Sequence, residues 1–162
     1  MQFDGLAENN RVLITGTVAE GCVFSHEVYG ESFYMFRISS DRLSDKADIL
    51  PVTISERLID KELLQVGTKV KVMGQLRSYN NYNSKKNRLI LTIFAREISL
   101  LEEADEKMEN QIFLNGFLCK APVYRKTPFG REISDILVAV NRAYNKSDYI
   151  PCIAWGRNAR YM

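Results

Sequence analysis

At 162 residues, with 46% hydrophobic and 26% charged residues, the chain has the composition of a soluble globular protein and can build one large or two small cores. A formal net charge of only +2 excludes a nucleic-acid site that relies on overall basicity, so any such site must come from local clustering. Three widely spaced cysteines (Cys22, Cys119, Cys152), with no CxxC pair and a single histidine, His26, support neither a disulfide framework nor a zinc site. No metal and no cofactor are expected. The absence of an apolar run near about 18 residues and of a basic-apolar-small leader leads to the expectation of a cytoplasmic protein without a membrane span.

Residues 1–9 are polar and read as a loose tail. From Asn10 the chain repeats itself at an ungapped offset of 100 residues. Asn10 answers Asn110, Gly16 answers Gly116, Val23 answers Val123 and Gly30 answers Gly130. The register holds through Arg42 and Arg142, Asp48 and Asp148, Pro51 and Pro151, Arg57 and Arg157. Apolar positions follow it: Val12 with Ile112, Ile14 with Leu114, Ile38 with Val138. One duplication of this length implies two similar domains rather than a solenoid, whose periods are shorter.

The first repeat, residues 10–101, shows the whole unit. Asn10–Val18 alternates Val12 and Ile14 with polar neighbours, as a half-buried strand does. Gly30 marks a turn, Ser32–Ser40 forms a second strand and Ile49–Ile54 a third. Ser55 can cap a short helix that packs Leu58, Ile59 and Leu63 and stops at Gly67. Thr68–Ser78 alternates Val70, Val72, Gly74 and Leu76 with Lys69, Lys71, Gln75 and Arg77, a fourth strand. A polar loop, 79–87, leads to a fifth strand from Arg88 to about Leu100. Three strands, a helix and two strands is the order of a five-stranded OB barrel, so the predicted class is all-β with two tandem OB-folds.

Residues 102–109 hold five acids and one lysine without Pro or Gly and read as a solvated acidic linker. The second repeat, 110–162, stops at the counterpart of position 62 and lacks the fourth and fifth strands. A barrel without them exposes an edge, so the chain is read as a shortened form of a longer protein; strands supplied by another subunit are the alternative.

The second repeat also carries the chemistry. It contains a basic hairpin with a Pro128-Phe129-Gly130 turn, then two strands studded with aromatics and arginines. Eight cations stand there against three acids, a net +5, compared with +3 for residues 10–101. Arg125, Lys126, Arg131, Arg142 and Arg157 interleave with Phe129, Tyr144, Tyr149 and Trp155, a composition that suits a flexible polyanion carrying flat bases. In the first repeat Arg77, Lys85, Lys86 and Arg88 bracket Tyr79 and Tyr82 in an asparagine-rich loop. Asp48, Asp148 and Glu56 find no base, nucleophile or metal partner, His26 reads as a surface residue, and no Gly-rich phosphate loop is present. No catalytic residues are assigned and an enzyme is not expected.

The second repeat resembles the bacterial single-stranded DNA-binding protein family through Gly116, Pro122, Arg125, Thr127-Pro128, Gly130, Ala139-Val140-Asn141-Arg142, Asp148, Ile150, Cys152 and Trp155-Gly156. The first repeat resembles it more distantly, through Asp48-Ile49-Leu50-Pro51 and Gly74-Gln75-Leu76-Arg77. The resemblance implies sequence-tolerant binding of single-stranded DNA with stacking on Tyr144, Tyr149 and Trp155 and in the loop of Tyr79 and Tyr82. It also implies an assembly of four OB-folds, here a homodimer of two-fold chains, acting in replication, recombination or repair. The first repeat departs from the pattern: Ser44, Ile49 and Ser55 occupy the stacking positions, Glu27-Val28 replaces Thr-Pro, and Ser25 replaces Arg. The family's acidic, partner-recruiting tail has no counterpart up to Met162. A protein-interaction OB module of a replication-restart complex with weak nucleic-acid binding is the rival expectation. RNA is a further possible ligand, since nothing in the residues reads a 2′-hydroxyl distinctly.

Overall fold

In the computed structural model of the chain, the described residues are 9–42, 46–81, 88–102, 109–143 and 145–162. Residues 1–8 of the expected tail (1–9), most of the acidic linker (103–108) and Ser44 lie outside them. Among the described residues ten strands, one 3₁₀ turn and one short helix follow one another, and no helix there is long and apolar enough to cross a membrane. The described residues fall into two compact units: one from Asn10–Arg77 with Ile90–Phe113, the other from Leu114–Met162 with Ser78–Leu89 and Asn9.

The first unit is built on β1 (Asn10–Val28), β2 (Glu31–Asp41), β3 (Ala47–Ser55), β4 (Lys69–Asn81) and β5 (Arg88–Leu100). The ladder runs β2-β3-β5-β4-β1, and a further pairing of β1 with β2 closes it into a barrel. The β3–β5 pairing is parallel, with Val52 opposite Ile93. Strand β1 runs ten residues beyond the predicted Val18, and irregularities between Val18 and Glu20, Glu20 and Val23, and Phe24 and His26 interrupt its register with β2. Such bulges bend and twist a strand locally, which lets one strand serve two neighbours around a closed barrel. Val12, Ile14, Phe36, Ile38, Val52, Ile54, Val70, Val72 and Ile93 fill the interior, the alternate positions of their strands. A sixth strand, β6 (Asn110–Leu114), belongs to the second repeat by sequence and pairs on the far side of β1.

The expected helix after Ser55 is a correction. Residues 56–59 are turns, and only a single 3₁₀ turn, Lys61–Leu63, forms. Ser55 Oγ accepts the Arg57 N–H at 3.2 Å, and the Asp60 carboxylate accepts the Glu62 N–H at 3.0 Å. Short polar side chains thus capture the backbone donors locally, and a segment this short gains too few helical bonds to compete. The buried residue is Leu64 rather than Leu63, which is exposed; Leu58 and Ile59 pack on the core as expected, and Gly67 ends the segment with φ +94°.

The second unit contains the sheet β10 (Ser147–Trp155), β9 (Glu132–Asn141), β7 (Phe117–Leu118), with β8 (Val123–Lys126) also paired to β9. It ends in α1 (Arg157–Tyr161), whose Ala159 is buried and whose Ala159 carbonyl accepts the Ser134 hydroxyl at 2.7 Å. Counterparts of β4 and β5 are absent among the described residues. The duplication is written into the backbone: β2–β3 pairs Phe33 with Ser55 through Asp41 with Ala47, and β9–β10 pairs Ile133 with Trp155 through Asn141 with Ser147. Every pair in one ladder is the other's plus 100. The glycines agree as well, because a Cβ at Gly16 runs into the Ser39 carbonyl and one at Gly116 into that of Ala139.

Gly16→Ala is therefore expected to destabilise the protein by about 1–3 kcal/mol through overpacking, and Phe36→Ala by about 3–5 kcal/mol through an unfilled cavity. Urea unfolding measures both; stabilities unchanged from the parent contradict the close approach and the core position respectively.

Candidate nucleic-acid interface

The β8–β9–β10 sheet presents one outer face, and the pairing fixes what stands on it. Along β10 the buried residues are Asp148 and Ile150, while Tyr149, Pro151, Ile153 and Trp155 alternate outward. Directly opposed residues share a face, so Trp155 stands beside Ile133 and Arg125, and Ile153 beside Asp135 and Val123. Trp155 is 52% exposed and Tyr149 46% exposed, with Ile153 equally open between them. The outer face of β10 thus carries an apolar, partly aromatic row that the described residues of the unit leave about half exposed.

A buried carboxylate sets the phase of that row. Asp148 is fully buried; it accepts the Ser78 N–H at 2.9 Å and is ion-paired with Arg142 at 3.0 Å. The Ser78 hydroxyl in turn accepts the Tyr149 N–H at 2.7 Å. This holds the β4 end carrying Tyr79, which is exposed, next to the strand of Tyr149, so a first-repeat loop residue joins a second-repeat strand in one unit. Arg142 was expected among the ligand-binding cations; its guanidinium is instead bound to Asp148, and its N–H bonds the Lys146 carbonyl across the loop at 2.7 Å. In the first repeat Arg42 and Asp48 make the same pair at the surface.

The hairpin between β8 and β9 follows from its residues. Pro128 and Phe129 occupy the centre of a turn in which the Gly130 N–H bonds the Thr127 carbonyl at 2.8 Å, and Gly130 takes φ +79°. The Arg131 N–H also reaches the Thr127 hydroxyl at 3.1 Å. Proline presets the first central position and glycine accepts the left-handed one, as such a turn with its following bulge requires. Phe129 is left 94% exposed at the tip.

The cations divide into two sets. Arg125 donates to Asp135 at 2.8 Å, Arg160 grips Glu132 through two bonds of 2.5 and 2.6 Å, and Arg77 lies 4.1 Å over the Phe94 ring with Gln75 at 3.2 Å. Lys126, Arg131 and Arg157 in the second repeat, and Arg88 in the first, are exposed and make no ion pair among the described residues. Of the other expected site residues, Tyr82, Lys85, Lys86 and Tyr144 lie outside the described residues. Phe117, 68% exposed on β7 and opposite Ala139, shares the face of Tyr149 and was not singled out from the sequence. Its signal there was only an aromatic after Gly116. No group of acids, cysteines or histidine among the described residues can hold a metal.

Asp148→Ala leaves Arg142 without its buried partner and is expected to cost about 3–5 kcal/mol, whereas Asp48→Ala at the exposed pair leaves thermal stability nearly unchanged. Equal melting points for Asp148→Ala and the parent contradict the structural role. The Arg160 hydrogen bonds hold the Glu132 carboxyl below the usual carboxylate range, and the Arg125 hydrogen bond does the same for Asp135. A carboxyl depressed by folding contributes stability above its unfolded value of about 4 and loses it as pH falls through the folded one. The melting-point gap between the parent and Glu132→Gln is therefore expected to narrow on acidification from neutral pH to below about pH 4; a constant gap contradicts the ion pair.

Comparison with known proteins locates this arrangement. The family model described as "Single-strand binding protein family" matches residues 109–162, the repeat that carries the exposed aromatic row. The N-terminal domain of PriB protein from Thermoanaerobacter tencongensis, solved as a dimeric structure, is 52% identical over 59% of this chain and 100% of that one, with a TM-score of 0.52. The wild-type single-stranded DNA binding protein from Thermus aquaticus aligns over 94% of this chain and 76% of its own at 21% identity and a TM-score of 0.74. Its deletion mutant delta 228-252 R190A aligns over 94% and 78% at 21% identity, with a TM-score of 0.71. No curated protein matches the chain. With the family's residues on the second repeat and its barrel repeated on the first, the chain belongs to the single-strand binding protein family.

Proposed function

We propose that this protein binds single-stranded DNA with little sequence preference, stacking bases on Trp155 and Tyr149 and holding phosphates with the cations of the second repeat, in replication, recombination or repair. The observation that carries the reading is the outward aromatic row of β10 in the same unit as the exposed Lys126, Arg131 and Arg157, which make no ion pair among the described residues. Stacking contributes about 1–3 kcal/mol per base and tolerates any sequence, because every base has a π-face. Phe129 at its hairpin tip suits a clamp on the strand, and Tyr79 with Arg88 extends the path. Arg125 can exchange Asp135 for a phosphate at little cost, since an exposed pair contributes little. Tyr144, Tyr82, Lys85 and Lys86 complete the proposed set, while Arg77 and Arg142 act by shaping the surface. Family membership supports the reading, and the single-stranded DNA binding protein from Thermus aquaticus shares the fold. A homodimer presenting four OB-folds is proposed with it, and the dimeric PriB domain supports that assembly.

The rival reading, a protein-interaction module of a replication-restart complex, draws on the first repeat. There Ile49 and Ser55 stand where the second repeat has Tyr149 and Trp155, and Glu27 and Glu31 flank the hairpin tip. Titration with oligo-dT separates the two. Trp155 is the chain's single tryptophan, so its fluorescence is expected to be quenched on binding, more strongly by single strands than by duplex. The log–log salt slope is expected near −0.7 per phosphate contacted, and Trp155→Ala and Tyr149→Ala each to lose about 1–3 kcal/mol. Equal binding of duplex and single strands, or full affinity without Trp155, overturns the proposal.

A further inference from the structure

On the assumption of the single-strand reading above, we infer that Phe117 and Tyr149 form the two walls of a slot, floored by Ala139, that takes one unpaired base between them. Both residues are opposite Ala139, Phe117 across the β7–β9 ladder and Tyr149 across the β9–β10 ladder, so the three make one row on one face. Adjacent strands lie about 4.8 Å apart, which separates the two wall backbones by about 10 Å. A flat base touched on both sides needs about 7–8 Å between rings. Aromatic side chains leaning slightly inward reach that spacing.

Three further observations fit a ligand slot better than a structural pair. Phe117 is 68% exposed and Tyr149 46% exposed, and neither ring stacks on another aromatic ring among the described residues. The floor is alanine, whose side chain is a single methyl group between the two walls. Gly116 immediately precedes Phe117, and because a Cβ there runs into the Ala139 carbonyl, only glycine lets β7 come close enough to seat the ring opposite Ala139. The first repeat has the same row in the same register, Thr17–Ser39–Ile49, with no ring in it. The fold therefore supplies the row, and the second repeat alone equips it.

The slot predicts that filling its floor disables it without removing any aromatic. Affinity for a fluorescent oligo-dT is measured by anisotropy for the parent, Phe117→Leu, Ala139→Ile and the double variant, with circular dichroism to verify the fold. Each single change is expected to weaken binding roughly tenfold, and the double variant to bind no worse than the weaker single one within about twofold. Parent-like affinity of Ala139→Ile, or losses that multiply in the double variant, overturns the slot while the single-strand reading stands. No oligo-dT binding by the parent overturns that reading and the slot with it. Should Ala139→Ile fail to fold, the cycle of Phe117→Leu with Tyr149→Ala decides by the same criterion, because two walls of one slot lose a shared base together.

Discussion

The second unit depends on one buried carboxylate. Asp148 has no access to solvent, and a charge in that position is tolerable only when paired and hydrogen-bonded. Arg142 supplies the charge and the Ser78 N–H the hydrogen bond, while the Ser78 hydroxyl receives the next residue's N–H. With Asp148 turned inward, the two-residue period of a strand leaves Tyr149, Ile153 and Trp155 no choice but the outer face. A slip of one residue inverts the whole row, so the polar tie and the aromatic surface are a single feature.

Duplication followed by divergence accounts for the contrast between the repeats. The two hairpin ladders keep identical registers, and the Arg–Asp pair closes the same loop in each. In the first repeat that pair stays at the surface, where its worth is small, and the residues facing outward beside it are Ile49 and Ser55. The hairpin tips differ for a local reason. Lacking the Thr-Pro pair, the first repeat turns through Tyr29 and Gly30, both at positive φ, and absorbs an irregularity between Phe24 and His26; the second turns on Pro128 and Phe129, takes its bulge at Gly130 and keeps a regular register from Val123 to Lys126. One tip is flanked by Glu27 and Glu31, the other by Lys126 and Arg131, so the two tips present opposite charge.

Charge clustering alone overstates the number of cations open to a ligand. Of the arginines and lysines in the second repeat, Arg125, Arg142 and Arg160 hold acids of their own sheet, helix or loop, and Lys126, Arg131 and Arg157 do not. These three border the aromatic row and the hairpin and so concentrate positive charge beside them. In a chain of net charge +2, this local arrangement replaces overall basicity.

The chain by itself determined the duplication, the order of strands and the barrel class, because offset and period survive in the identities of residues such as Gly16 and Gly116, or Val70 and Val72, whatever they pack against. It also determined that aromatics and cations share the later repeat. It did not determine the helix after Ser55, where Asp60 and Ser55 bind their own backbone and leave a 3₁₀ turn, since competition between local hydrogen bonds and helix propagation turns on small energies. Tertiary structure alone decided which arginines are neutralised, because Asp135 is ten residues from Arg125 and Glu132 twenty-eight from Arg160. It alone joined Ser78 to Asp148 across seventy residues, and brought Phe117 and Tyr149 to either side of Ala139. Such neighbours are made by strand pairing between distant segments, and no linear spacing records them.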